Sequence, residues 1–391
     1  MTNRSFPIRA LSPLLLALAS CGAAAPGDKG AATSTPSAGP GFRTQALATF
    51  EEPWGAAFVP GTPYLLVTER KGTLKLVDSM NIVHPVSGAP TVDYGGQGGL
   101  GDVAFAPGTT ADGGYPVYLS WVEAGPGDTR GAVVGRGTLH IDEMNGASAI
   151  SGLEVIWRQA PKVTGRGHFS HRLLVSPDER YLYVSSGERQ KFTPAQDLTN
   201  NLGKVVRLNL DGTPAAGNAF SGQAGKAQDI WSYGHRNVLG LDFDAQGRLW
   251  DLEHGPAGGD ELNLVERGRN YGWPLVSNGD NYDGTPIPRH ATRPDLAAPA
   301  ISWNPVIAPG DFLFYKGSLF PWRGQAIVTA MKPGGLVRVG IDGTKGSKPA
   351  ATELARYPLE RRIREIVEAR DGSLLLLEDG KGGRLLRLTQ Q

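Results

Sequence analysis

Five short segments of this sequence carry groups able to do chemistry. Gly167-His168-Phe-Ser-His171-Arg172 sets two imidazoles three residues apart. Imidazole is the side chain best suited to take a proton near neutral pH, although a hydrogen-bonded structural histidine is the other reading. On a helix that spacing would make half a metal site, but no helix is predicted there. On a strand the two rings would point to opposite faces. In Tyr233-Gly-His235-Arg236-Asn237 a planar guanidinium fork sits beside an amide, a pair suited to a carboxylate-rich or quinone-like ligand or, equally, to a surface turn.

His254-Gly255-Pro256-Ala-Gly-Gly-Asp260-Glu261-Leu-Asn263 is more specific. Proline has no N–H, so the Gly-Pro step exposes carbonyl oxygens, and an acidic pair follows four residues later. Carbonyl and carboxylate oxygens are the ligands calcium prefers, although neither this segment nor Asp280-Asn-Tyr-Asp-Gly284 has the EF-hand pattern. Asn270-Tyr271-Gly272-Trp273-Pro274 is a tight aromatic turn. Arg361-Arg362-Ile-Arg364 would project Arg362 and Arg364 from one face of a strand. The fifth segment, Gly95-Gly-Gln97-Gly-Gly-Leu100, surrounds one amide with glycines, as a backbone approached closely by something else would require, or a plain mobile turn.

These segments are scattered along the chain, so the elements around them must bring them together. The 391 residues include Gly 54 and Pro 29, together about a fifth, a turn density that disfavours long helices. Short apolar runs recur between Gly and Asp turns: 64–70, 72–78, 181–187, 247–253, 325–331 and 373–379. No stretch keeps a 3.6-residue apolar period over a dozen residues. A recurring all-β unit of about 50–60 residues predicts a six-bladed β-propeller of four-stranded antiparallel blades, with a pair of sandwiches as the alternative. Loops of several blades meet at one end of such an axis, where scattered polar residues can converge.

Charge and cysteine usage narrow the function. Lys+Arg 39 against Asp+Glu 38 leaves a net charge of +1, with no basic excess for nucleic acid. A single cysteine excludes a disulfide framework. Arg4 and Arg9, the apolar run Leu11–Leu18 and Leu18-Ala19-Ser20-Cys21 read as an export signal ending in a bacterial lipobox, so Cys21 is expected to carry lipid; an ordinary secretory signal is the alternative. Losing residues 1–20 removes two arginines and no acid, which leaves −1. Residues 22–41, nearly all Gly, Ala, Ser, Thr and Pro, are too poor in apolar side chains to pack and read as a tether. The expected layout is a signal over 1–20, a lipidated cysteine and linker over 21–41, and a catalytic propeller over 42–391. It would be exported and held at the periplasmic or outer face of a bacterial membrane only through Cys21.

Taken together and in this order, YGHRNVLGLDFD, EHGPAGGDELNLVERGRNYGWP and RRIRE resemble the soluble pyrroloquinoline quinone (PQQ)-dependent sugar dehydrogenases, in particular their aldose sugar dehydrogenase branch. The likeness runs over about residues 45–390. It implies a six-bladed propeller that oxidises the anomeric carbon of an aldose to a lactone by hydride transfer to PQQ, with an external electron acceptor. It also implies roles: His168 as general base, Arg236 stabilising charge on the quinone oxygen, and Gln97, Asn237, Tyr282, Lys332, Arg362 and Arg364 with Arg236 around PQQ. Gly255 and Pro256 would ligate a cofactor-side Ca²⁺, and Glu261 and Tyr271 a second, structural one. Gly167, Ser170-His171 and His254 depart from the glucose-specific pattern, and His171 is expected to crowd the pocket. Two other readings stand beside this one: a calcium-dependent propeller hydrolase of lactonase type, and a non-catalytic tethered binding module.

Overall fold

The structure, a computed structural model, describes residues 41–142, 147–343 and 349–391; the signal, Cys21 and the linker to residue 40 lie outside them. Among the described residues, 24 strands form six four-stranded antiparallel sheets, and the helical structure is two single 3₁₀ turns, Thr193–Ala195 and His290–Thr292. The expected six-bladed propeller is therefore what this chain forms. Blades one to five run over 53–86, 100–158, 170–233, 238–303 and 309–358. Blade six joins the three strands of 363–390 to Phe42–Glu51, which pairs with Lys381–Gln390 and closes the ring from both ends of the chain.

The apolar runs read in the sequence are mostly second strands. Leu65–Glu69, Leu249–Glu253, Ala326–Ala330 and Leu374–Glu378 are buried at every position. Covered on both faces, they need no alternation, so they appear as continuous apolar stretches. Each interface between neighbouring blades holds its own apolar cluster. Leu66, Leu74 and Leu76 of blade one meet Val103, Leu119 and Val133 of blade two. Phe42, Tyr357 and Trp322 close the last interface but one.

The inner strands, Pro53–Phe58, Leu100–Phe105, Ser170–Val175, Val238–Phe243, Pro309–Phe314 and Ile363–Glu368, share a defect. In all six the ladder to the second strand skips one or two residues near the start of the inner strand. Such bulges free backbone groups from pairing and re-aim side chains. Here they turn toward the axis, where Arg172 meets them. Its guanidinium donates to the carbonyls of Leu239 (2.5 Å) and Gly310 (3.0 Å), pairs with Glu365 and Asp102, and stacks over Trp54 at 4.2 Å. Asp311 lies 3.8 Å from its Nε. One side chain of blade three thus touches the inner strand of every other blade.

Burial raises Asp102 and Asp311 to about 6 even with Arg172 beside them. Arg172→Met should therefore leave buried carboxylates without their cation and lose about 3–5 kcal/mol of stability, read from urea midpoints. Groups whose folded pKa lies above their unfolded value destabilise the fold as pH rises through that folded value. The deficit against wild type should accordingly be larger at pH 8 than at pH 5, and a pH-independent deficit would contradict this account.

Candidate functional site

All six inner strands start at one end of the axis, and the second strands end there, as Ser170 opposite Ser186 and Val238 opposite Glu253 illustrate. Eight of the sequence-predicted residues fall on loops of that end, Gln97, His168, Arg236, Asn237 and Arg362 before inner strands and Gly255, Pro256 and Lys332 after second strands. Arg364 lies on the inner strand of blade six, Glu261 on the third strand of blade four, and Tyr271 and Tyr282 on the loop that follows it.

His168 is buried, and it is held at three points. Gln97 Oε1 accepts its backbone N–H at 2.7 Å, its carbonyl accepts the Arg189 N–H at 3.2 Å, and Nδ1 meets Glu188 Oε1 at 2.5 Å. A carboxylate only accepts, so Nδ1 carries the hydrogen and Nε2 keeps a lone pair. Burial, with Arg236 and Arg189 nearby, keeps His168 below its ordinary 6.5 despite Glu188. Burial would raise Glu188, but it lies below its ordinary value because hydrogen bonds from His168 and the Phe192 N–H, with the Arg236 charge nearby, outweigh that burial. The result is a neutral imidazole with a fixed tautomer and a free acceptor.

Arg236 is buried without a carboxylate partner among the described residues. Its Nη1 donates to the His254 carbonyl and its Nη2 to the Tyr282 hydroxyl, both at 3.1 Å, while Nε has no partner. The guanidinium lies 5.1 Å from the Trp273 ring and 5.8 Å from the Tyr282 ring, and Tyr282 is 77% exposed at the mouth. Arg362 and Arg364 do project together, and both pair with Asp379 at 2.7 Å. Arg362 Nη2 also reaches Met331 Sδ at 3.3 Å, which sets Lys332, exposed and next in the chain, on the same side. Buried Asn237 accepts from Ser170 Oγ at 3.2 Å. Four cations against one shared carboxylate, with an unpaired guanidinium N–H among them, fit a flat tricarboxylate such as PQQ.

The segment after His254 has the opposite balance. Asp260 accepts from the N–H of Gly255, Ile307 and Ala308 and so braces the loop. No hydrogen bond among the described residues reaches the carbonyl oxygens of Gly255 or Pro256. Glu261 is buried, and burial with Glu253 and Asp251 pushes its carboxyl well above the usual range. His290 lies between it and Tyr271, 3.8 Å from Glu261 Oε1 and 3.1 Å from the Tyr271 carbonyl. His235 is the local cation: burial would lower it, but Asp251 and Glu253 carry it to about 9. Free carbonyls beside excess buried carboxylate fit a divalent cation with oxygen ligands.

Two expectations need correction. His171 does not crowd the pocket: it is buried, stacks on Trp54 at 5.0 Å and sits 2.8 Å from Ser120 Oγ. It and His168 do not lie on two faces of one strand, because the strand begins only at Ser170 and His168, Ser170 and His171 all have positive φ (49°, 57° and 64°). The close approach expected at the glycines around Gln97 is present and is made by the chain itself, since a Cβ on Gly99 would lie 2.2 Å from the Arg70 carbonyl. His254 is also tied down, donating from Nε2 to the Pro309 carbonyl at 2.7 Å, and burial lowers it to about 3.

Sequence reasoning missed the acids that position these groups. Glu188 follows the second strand of blade three, Glu253 ends that of blade four, and Asp379 follows that of blade six. Glu253 Oε2 accepts from the Arg236 and Asn237 N–H groups at 2.7 and 3.3 Å. The recurring polar residue at the end of each apolar run was the available signal.

A family model described as glucose/sorbosone dehydrogenase matches residues 50–387. Aldose sugar dehydrogenase YliI of Escherichia coli is 35% identical over 348 residues, 87% of this chain and 90% of its own. The crystal structure of the soluble E. coli aldose sugar dehydrogenase in its apo form superposes with a TM-score of 0.80 at 32% identity, covering 90% of this chain and 100% of that one. The PQQ-bound aldose sugar dehydrogenase of Streptomyces coelicolor superposes with a TM-score of 0.69 at 28% identity, covering 90% and 99%.

Replacing Glu188 by Gln keeps an acceptor but removes the charge that fixes the His168 tautomer. Turnover should fall on the order of 10- to 100-fold with little change in melting temperature. Unchanged turnover would mean that the carboxylate is not needed to orient the ring.

Proposed function

The chain belongs to the glucose/sorbosone dehydrogenase family, and from that premise we propose that it oxidises the anomeric carbon of an aldose to a lactone, using PQQ and calcium, with His168 as the base. The observation that carries the reading is the buried, neutral His168 with Nδ1 on Glu188 and Nε2 open, beside an Arg236 that lacks an anionic partner. When bound, PQQ would take the hydride from the anomeric carbon and Ca²⁺, held by the Gly255 and Pro256 carbonyls, would act as Lewis acid on the quinone.

The protein's own groups do the rest. His168 Nε2 takes the proton of the anomeric hydroxyl, so the carbon can release its hydride as the C=O bond forms. Glu188 stabilises the resulting imidazolium through Nδ1–H. Arg236 is preorganised by Trp273 and the His254 carbonyl, and it would supply positive charge beside the bound quinone. Lys332, Arg362 and Arg364 would hold the carboxylates of PQQ, with Asp379 keeping the two guanidinium groups side by side. Gln97 and Asn237 would supply amides, Tyr282 would flank the mouth, and Glu261 and Tyr271 would hold a second, structural calcium, for which His290 would have to move from between them.

We further propose that the domain is exported and tethered through a lipid on Cys21, with residues 22–41 acting only as a leash. Expressed from Phe42 behind a cleavable signal, the domain should fold and keep full specific activity; failure to fold would mean that the linker packs on the propeller.

The central test is His168→Gln in protein loaded with Ca²⁺ and PQQ and assayed with glucose and a dye acceptor. General-base catalysis supplies about 10²–10⁴-fold, so kcat should fall at least on the order of a hundredfold while PQQ binding and melting temperature hold. Wild-type kcat/KM should lose activity toward acid with an apparent pKa below 6.5, because burial lowers His168 and only its neutral form accepts a proton. A variant with near-normal turnover, or an acid limb well above 6.5, would overturn the assignment. Chelated protein should recover activity with PQQ only when Ca²⁺ is restored.

A further inference from the structure

Backbone strain is concentrated in two stretches beside the base. Eleven non-glycine residues among those described have positive φ, and six of them are His168, Ser170, His171, Arg189, Gln190 and Phe192. Left-handed backbone in bulky residues persists only where surrounding contacts over-determine it, so something must hold these stretches. Arg189 is the side chain between them. It is 0% exposed, and no carboxylate among the described residues lies within ion-pairing distance of it. Its Nε donates to the Gly167 carbonyl at 2.9 Å, Nη2 to the Gly165 carbonyl at 2.6 Å and Nη1 to the Arg130 carbonyl at 2.6 Å. The guanidinium plane covers the Phe169 ring at 3.8 Å.

These contacts grip the chain at residues 165, 167 and 169, on both sides of His168, and tie it to blade two through Arg130. The backbone N–H of Arg189 also donates to the His168 carbonyl at 3.2 Å. Burying an unpaired cation is expensive, and carbonyl dipoles offset only part of that, so a neutral residue would serve stability alone better. We infer that Arg189 is a positioning residue for the base, fixing the His168 backbone so that Nε2 faces the substrate while Glu188 fixes the ring. This rests on the reading of His168 as base. A lysine at 189 keeps the charge but offers one compact donor group in place of three directed ones, and it has no planar face for Phe169.

The charge has a second effect. The charged and titratable groups facing His168 are Glu188, which raises it, and Arg236 and Arg189, which lower it, with His254 neutral close by. Removing the Arg189 charge moves His168 upward.

The test compares Arg189→Lys, Arg189→Gln and His168→Gln in the full chain, with His168 titrated by NMR in the cofactor-free protein and turnover measured per PQQ-loaded molecule. Misplacing a base by about 1 Å can slow turnover by about 10²-fold. Both Arg189 variants should accordingly lose at least about tenfold in kcat, with KM within about threefold. The His168 pKa should rise in Arg189→Gln and less in Arg189→Lys. If the glutamine variant does not fold, the lysine variant decides through kcat alone. Lower melting temperature with wild-type kcat and an unmoved His168 titration would overturn the inference. Collapse of His168→Gln with intact Arg189 variants overturns it alone, whereas near-normal turnover in His168→Gln overturns the base reading beneath it.

Discussion

The guanidinium of Arg172 is the constraint on which this propeller turns. Six sheets packed in a ring leave an axis that side chains must fill, and the six bulged inner strands point unpaired carbonyls and carboxylates into it. Arg172 answers them with directed donors and an aromatic partner, touching Trp54, Asp102, Leu239, Gly310 and Glu365 at once. A buried cation among buried carboxylates is weak evidence for stability when counted as a pair. Here it also ties the blades together at the axis, because the Leu239 and Gly310 carbonyls, the Asp102 and Glu365 carboxylates and the Trp54 ring share one planar fork.

That shared centre reaches the reaction end through a few residues of chain. Arg172 stands four residues after His168, and the intervening Ser170 and His171 are held left-handed by the same bulge. Arg364, whose carbonyl faces Arg172 at 3.5 Å, turns its guanidinium to Asp379 at the mouth. The axial packing and the candidate site are therefore two levels of one structure. The bulges that would weaken a sheet are what let the inner strands present backbone to the axis and side chains to the mouth.

The electrostatics divide the site in two. Around Arg236, Lys332, Arg362 and Arg364 positive charge exceeds negative. Around Glu253, Asp251 and Glu261 the reverse holds, with His235 charged between them. Burial, assisted by the positive half beside it, holds His168 below its ordinary value, and Glu188 adds orientation without making it a permanent cation. A polyanionic quinone and a divalent cation would each meet its complement, in keeping with the proposed chemistry.

Local pattern alone settled the fold class. Runs such as Leu374–Glu378 between glycine turns are strands whatever they pack against, and the chain length divided by the blade length leaves room for six. It also picked out the segments proposed to carry chemistry, because Gly-Pro carbonyls, paired arginines and an Arg-Asn step are legible one residue at a time. The partners of those groups were not legible. Glu188 stands 20 residues from His168, Asp379 15 from Arg364 and Trp54 more than a hundred from Arg172, and nothing in a strand-end acid says which neighbour it will meet. His171 was misjudged for the same reason: a spacing of three fixes a direction only on a regular strand, and the bulge replaces that strand with left-handed backbone. Sequence by itself supplied the members of the candidate site. Only closure of the ring decided its pairings, because the bonds that define them run between blades.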